Sequence, residues 1–527
     1  MKILGRSLIV NSNSSESGEL SINGLTPELN STNVFARHGH HHSADKPFSH
    51  RRSAVVVQSA TIMPAATKTE TLPLPTAAAP TRAIIHLALP MLVAQVAVML
   101  NGTMDTVMAG QISPLDLATV GIGASIYAAI FISAMGVLLA LTPIIAHHYG
   151  AGRMGDIGEE VRQGAWLSLA LAALAMLVLT HPGPLLALSQ LTPEMDGRVR
   201  AYLAVLAWAA PAGFAFRLLY GFSAGIARPR PIMVFNLFGL GLKIFFNWIF
   251  MFGHLGAPAL GALGCGVSSV LSSWLVMLSG WLWCAREAEY HCFGIFAAWS
   301  WPRRARLLAL LKLGLPMGAT FVFDVTAFTF MALFVARLGP TASGAHQIAA
   351  NLSALMFMIP MSMGSAVGAL CGQALGRGDA AAARHTGLAG LRLGMGFAAA
   401  VSLSLWLGRS WLAALYTVDA EVRLLAASVI ALIAIYHLAD ALQAIAVSLL
   451  RSYKKAMVPM AIYAVALWGV GLPGGIALGL HGIETLGIAP LGVPGFWIAA
   501  IVGLAGAGFG VTLYWWQVSR CAVRPAL

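Results

Sequence analysis

GLPMGATFVFDVTAFTFMALFVARL, residues Gly314–Leu338, decides how the chain is read. The run is long and apolar enough to cross a lipid bilayer, yet Asp324 stands in its middle. A second run, IALIAIYHLADALQAIAVSLL at Ile430–Leu450, repeats the arrangement around Asp440. A carboxylate near the bilayer midplane costs at least ~2.5–3.5 kcal/mol on insertion scales. Two such groups in one chain point to a site that takes protons, metal ions or cationic substrates. If the ion is Na⁺, Asp324 and Asp440 are its expected metal ligands.

The rest of the chain fits that setting. Of its 527 residues 58% are hydrophobic and only 10% charged, against roughly 25% charged in soluble domains. Mean hydropathy is +0.77. About twelve segments are long enough to span, centred near Ala94, Phe131, Leu171, Ala210, Phe238, Leu271, Val322, Met358, Ala399, Ile435, Leu467 and Gly506. The net charge of +12 would suit nucleic acid, but its distribution argues otherwise. Arg153, Arg162, Arg228, Arg230, Arg303, Arg306, Arg377, Lys454 and Lys455 crowd one set of alternate loops. The other set holds little beyond Arg198, Arg200, Arg337, Arg409 and Arg423. That bias is the positive-inside rule with both termini cytoplasmic, so no nucleic-acid partner is expected. Five cysteines show no metal-ligand spacing, and no disulfide is expected.

Residues 1–80 differ in kind: rich in Ser, Thr, Asn, Pro and Ala, they read as a disordered extension. His38, His40, His41 and His42 lie in it, and Met63 offers a later start. Beyond it the chain repeats itself. LALPM at Leu87–Met91 returns as LGLPM at Leu313–Met317, and Pro90, Pro114 and Gly150 return at one interval as Pro316, Pro340 and Gly376. Two homologous lobes follow, residues 81–290 and 307–519, with a cytoplasmic interfacial linker at 291–306 and a short tail at 520–527. Six segments in each lobe make the repeats parallel, a plan that leaves a central cavity between two bundles. The expected fold is thus an all-α integral membrane protein of twelve transmembrane helices in two six-helix repeats. Tyr290 at the end of the first lobe and the linker's Phe293, Phe296, Trp299 and Trp301 suit the headgroup boundary.

Two matches to catalytic motifs fail on context. GFSAG at Gly221–Gly225 lacks the strand-to-helix turn a nucleophile elbow needs, and GVGLPG at Gly469–Gly474 lacks a βαβ unit. No Walker A sequence is present. Transport, if that is the function, draws on a gradient and needs no cofactor beyond a coupling Na⁺ or H⁺.

Further polar residues sit in apolar spans. Paired carboxylates in low dielectric can exchange protons near neutral pH or surrender them to a bound cation. Gln347 and Asn351, at i and i+4, and the aromatics Phe328 and Tyr436 are candidate substrate-cavity residues, since a ring face can hold an organic cation. His346 reads as packing. In the first lobe Asp105, Lys243 and Asn247 form a polar set. Lys243 is a full charge in apolar surroundings and needs an anion, for which Asp105 is the candidate.

The runs ALPMLVAQ (88–95), MDTVMAG (104–110), GLKIFFNWIFMFG (241–253), GAHQIAAN (344–351), MIPMSMGSAVG (358–368) and YHLADALQ followed by SLLRSYKKAMVPM (436–460) together resemble the multidrug and toxin extrusion (MATE) family, NorM branch. The resemblance implies efflux of cationic drugs in exchange for Na⁺ or H⁺. It puts Asp440 at the cation-site aspartate of helix ten, Asp105 at the first-lobe acid and Asn247 at the second asparagine of the LLLNxPLNWIF pattern. Two positions depart from it: Asp324 stands where NorM members usually carry Glu, and Lys243 replaces the first asparagine of that pattern.

The expectation is a multi-pass antiporter of a bacterial inner membrane, a monomer in contact with lipid, exporting amphipathic cations by rocking of its lobes. It is not expected to be an enzyme. A flippase for a lipid-linked precursor and a membrane-embedded enzyme are the alternatives.

Overall fold

The computed structural model describes residues 80–187, 191–482, 487 and 489–523. The extension expected to be disordered, with His38, His40, His41, His42 and Met63, lies outside the described residues apart from Pro80, as does the end of the 520–527 tail.

No strand occurs among the described residues. The first half contributes α1 (Pro80–Gly110), α2 (Pro114–Gly150), α3 (Met154–Thr180), α4, α5 (Arg230–Phe250) and α6 (Ala262–Arg286). The second contributes α7 (Arg304–Ala336), α8 (Pro340–Gly376), α9 (Ala380–Tyr416), α10 (Ala420–Ser452), α11 (Met457–His481) and α12 (Val493–Val523). Helix α4 is a bent pair, Pro193–Leu206 and Ala209–Gly225, meeting at 45°. With that pair counted as one span, the helices among the described residues long and apolar enough to cross a membrane number 12, and every expected segment centre falls in its own helix. The chain is therefore an all-α membrane protein built of two six-helix repeats.

Local chemistry sets the helix ends. The Ser113 hydroxyl accepts from the Asp116 amide ahead of Pro114, and Thr192 accepts from Met195 ahead of Pro193. Both are polar N-caps with proline in the first turn, where its missing N–H costs nothing. Asp379 and Asp419 cap α9 and α10 in the same way. The turns after α2 and α8 are equivalent: Gly152 and Gly378 both hold positive φ, 71° and 81°, a conformation that favours glycine. Pro90 and Pro316 both lie inside the first helix of their half.

How the halves meet positions everything else. One apolar cluster crosses between them, joining Ile84–Ala94 of α1 and Val137–Ile145 of α2 to Leu310–Met317 of α7 and Met363–Cys371 of α8. It lies at the end of the bundle that carries Pro80 and Val523. At the opposite end each half keeps a core of its own, around Tyr202 and Cys265 in the first and around Trp497 in the second. The space between those separate cores is where the central cavity is expected.

Glycines make the closed end possible. A Cβ on Gly136 would lie 2.7 Å from the Gly318 Cα, a Cβ on Gly150 would strike the Gln373 carbonyl, and one on Gly376 the His147 carbonyl. A methyl group at any of these positions must push two backbones apart, an overpacking cost of about 1–3 kcal/mol. Gly376→Ala is expected to lower the melting temperature of the purified protein. Gly155→Ala, where a Cβ meets nothing within 4 Å, is the matched control. Equal melting temperatures for the two variants would contradict this close approach.

The linker is pinned to α3. Arg162 donates to the Gly294 carbonyl at 2.6 Å and Gln163 to the Trp301 carbonyl at 2.9 Å. Arg306, in the first turn of α7, pairs with Glu160 at 2.7 Å and Asp156 at 3.0 Å. The linker aromatics divide: Tyr290 and Phe293 are buried, whereas Phe296, Trp299 and Trp301 remain exposed. Only the exposed three keep the arrangement expected at a headgroup boundary.

Candidate functional site

In the first half, α1 and α5 bring Asp105, Lys243 and Asn247 together. The Lys243 ammonium lies 3.0 Å from Asp105 Oδ1, and the Asn247 amide donates to the same oxygen at 2.8 Å. Lys243 and Asn247 are one turn apart on α5, so both reach the acid from one helix face. The ammonium also donates to the Cys265 carbonyl at 3.0 Å and to the Ser269 hydroxyl, both on α6. Lys243 is 4% exposed and Asn247 fully buried. A buried ion pair is tolerable only when its remaining donors are satisfied, and the α6 groups satisfy them. With its ammonium on Asp105, this set carries its own internal cation.

In the second half, Asp324 of α7 accepts a hydrogen bond from the Tyr463 hydroxyl at 2.6 Å. Asp440 of α10 is 5% exposed, and Phe328 and Tyr436, each four residues from one of the two acids, have ring centres 6.4 Å apart. Among the described residues neither acid meets a lysine or arginine at ion-pair distance; the deep ion pair is the Lys243–Asp105 one. Two acids without an internal counter-ion in a shared apolar setting leave room for an external cation or for protons. Their donor set is two carboxylates and one phenol. That set suits a hard cation such as Na⁺, whose ligands are oxygens, or a proton, and lacks the soft donors that select transition metals. No group of three or more His, Cys, Asp or Glu residues occurs among the described residues.

The four candidate cavity residues separate into two places. Phe328 and Tyr436 pack edge-to-face on Trp497 inside the second half, with ring centres 6.2 and 5.5 Å from it. Tyr436 is 4% exposed, and His346 packs on the same tryptophan at 5.9 Å. Gln347 and Asn351 lie on an exposed face of α8, where Asn351 accepts from Tyr416 of α9 at 3.0 Å. A single wall formed by all four is not what the helices build. Asn351 reaches α9 through Tyr416, and the aromatic pair packs into the core.

Several participants carry no sequence signal. Tyr463 follows an ordinary apolar run, and its partner is 139 positions away in the chain. It is placed by α11, whose Val465–Gly471 and Ala477–His481 segments are π-helical, a local widening frequent at functional sites. Ser269 and Cys265 look like packing residues until α6 is laid beside α5.

Comparison with known proteins gives a consistent result. The MatE family model matches residues 90–249 and 316–476, one match in each half. A probable multidrug resistance protein NorM of Aromatoleum aromaticum is 40% identical over 444 residues, 84% of this chain and 94% of that protein. Multidrug resistance protein PmpM of Pseudomonas aeruginosa is 37% identical, covering 84% of this chain and 91% of its own length. Among solved structures, an outward-facing multidrug resistance MATE family transporter superposes with a TM-score of 0.76 at 18% identity, over 84% of this chain and 96% of that one. A eukaryotic MATE transporter gives 0.75 at 18%, over 84% and 98%. At that identity these two speak for the fold.

Proposed function

The chain belongs to the multidrug and toxin extrusion family, in its NorM-type branch, and from that premise we propose that it exports amphipathic cations in exchange for Na⁺ or H⁺. It is a multi-pass multidrug efflux transporter, not an enzyme. The proposal concerns its coupling ion, its substrates and its cycle.

The observation that carries the proposal is the Asp324–Asp440 pair: two deep acids, one phenol, and no internal cation among the described residues. An incoming Na⁺ or proton neutralises charge there, and the electrostatic hold on a bound organic cation weakens. A change of ~1–3 kcal/mol in drug affinity is sufficient for useful coupling. In the first half, Asp105 is engaged by Lys243, so exchange falls to the second half.

Alternating access follows from the packing. The positive-inside bias assigns the end carrying Pro80 and Val523 to the cytoplasm of a bacterial inner membrane. The halves share an apolar core at that end and keep separate cores at the other, which supports reading this conformation as outward-facing. Rocking about the glycine contacts opens the opposite side. This end is also where Arg306 is paired with Glu160 and Asp156.

Tyr463→Phe tests the assignment gently. The loss of a hydrogen bond to a charged group is worth ~1.5–3 kcal/mol. The concentration of coupling ion giving half-maximal efflux should therefore change by about tenfold or more, with little effect on the amount of folded protein. An unchanged ion dependence would remove Tyr463 from the site.

A further inference from the structure

The outer face of α1 carries a groove that drug efflux leaves unused. Ile84, Leu87, Ala88 and Met91 turn into the core shared by the halves. The opposite face of the helix borders an open groove of about 800 Å³ between α1 and α5. Its walls are apolar, built from Ile85, Leu89 and Val93 of α1 and Met233 of α5, and its mouth is basic, built from Arg82, His86 and Arg230. Ile85 and Leu89 are 41% and 59% exposed, so the groove opens outward, to lipid.

Spacing and charge together define what fits. Arg82, His86, Leu89 and Val93 recur at intervals of three and four residues and form one stripe along α1. At 1.5 Å per residue the stripe rises about 16 Å, close to half the ~30 Å hydrocarbon thickness of a bilayer, which is the depth of one leaflet. Its charged end lies at the end of the bundle, beside Pro80, and its apolar end points toward the midplane. The Arg230 guanidinium donates to His86 Nε2 at 2.6 Å. That bond ties α5 to α1 across the mouth and leaves most of the five guanidinium donors unspent. Neither Arg82 nor Arg230 has a carboxylate at ion-pair distance among the described residues, whereas the nearby Arg228 is paired with Glu289.

We propose that this groove holds one anionic glycerophospholipid, with its phosphate on Arg82 and Arg230 and an acyl chain along Ile85, Leu89 and Val93. Basic groups at headgroup depth attract anionic lipid. The apolar wall beneath them covers a chain that a free anion lacks, which selects lipid over inorganic phosphate. The bound lipid bridges α1 and α5, the two helices that also supply Asp105 and Lys243. Assignment to the cytoplasmic leaflet rests on the orientation proposed above; binding itself depends neither on that orientation nor on transport.

The experiment measures thermal stabilisation of the full-length protein in mixed micelles as phosphatidylglycerol replaces phosphatidylcholine. Phosphatidylglycerol should stabilise wild type. R82Q/R230Q should raise the mole fraction giving half of that stabilisation by about tenfold or more, since each basic group at a lipid surface is worth roughly fivefold in affinity. Both side chains are exposed, so their replacement leaves packing intact. K454Q/K455Q removes equal charge from the same end of the bundle, at exposed positions outside the groove, and should respond as wild type does. Equal responses in wild type and R82Q/R230Q overturn the proposal. So does an equal weakening in K454Q/K455Q, because net charge alone would then be drawing the lipid. Inorganic phosphate in phosphatidylcholine micelles stabilising wild type as strongly as phosphatidylglycerol also overturns it, because the site would then serve a free anion. Drug efflux is read at no step, so failure of the lipid site leaves the efflux reading standing.

Discussion

Asp324→Asn and Asp440→Asn are each expected to lower gradient-driven drug efflux roughly 10- to 100-fold while leaving the protein folded. Asparagine is nearly isosteric and keeps an acceptor for the Tyr463 hydroxyl, which lies 2.6 Å from Asp324, so packing around the site survives. What disappears is a group that alternates between charged and neutral. The coupling free energy of a typical linked site, ~1–3 kcal/mol, sets the size of the loss. Asp324→Glu is the informative companion, because it restores the longer acid that the family resemblance leads one to expect. It should retain efflux, and a change in ion preference between Asp and Glu would assign ion choice to that methylene. Asparagine variants that pump at wild-type rates would move the coupling site elsewhere, with Asp105 the next place to look.

Lys243→Ala is expected to be the most destabilising substitution in the first half. It strips the counter-ion from Asp105 and leaves an acid at 13% side-chain exposure without its cation. Breaking a buried pair from one side costs about 3–5 kcal/mol, because the remaining charge is uncompensated. Lower expression and a lower melting temperature should follow, together with impaired transport. The double variant Lys243→Ala, Asp105→Asn removes both charges and should recover a large part of the loss, since neutral replacement of an entire pair is far less damaging than halving it. The single variant performing as well as wild type in yield, melting temperature and transport would rule the pairing out as an energetic feature.

The pairing itself was legible in the sequence for a simple reason. A full charge in an apolar span must find a partner, and Asp105, itself inside an apolar span of that half, was the obvious candidate. The twelve spans and the two repeats were legible on similar grounds, from apolar run length and from prolines recurring at one interval. What depends on helix rotation was not. Gln347 and Asn351 share a helix face by spacing alone, but spacing does not say whether that face looks toward the cavity or toward α9. Phe328 and Tyr436 cluster near Asp324 and Asp440 in the chain, yet Trp497, far off in sequence, draws them into the core. Tyr463 reaches Asp324 from α11, 139 positions further along the chain, a pairing that spacing does not announce.

The central claim is exchange of a cation for an organic substrate at the second-half acids. Its most direct test is drug movement in proteoliposomes with a Na⁺ gradient and a pH gradient imposed separately, comparing wild type with Asp324→Asn and Asp440→Asn. One of the two gradients should drive the drug uphill in wild type, and the same gradient should drive nothing in either variant. Na⁺ acting at fixed pH would assign a sodium site to the pair, and a pH gradient acting alone would make the acids proton carriers. Drug movement indifferent to both gradients, or equal in wild type and variants, would contradict the account.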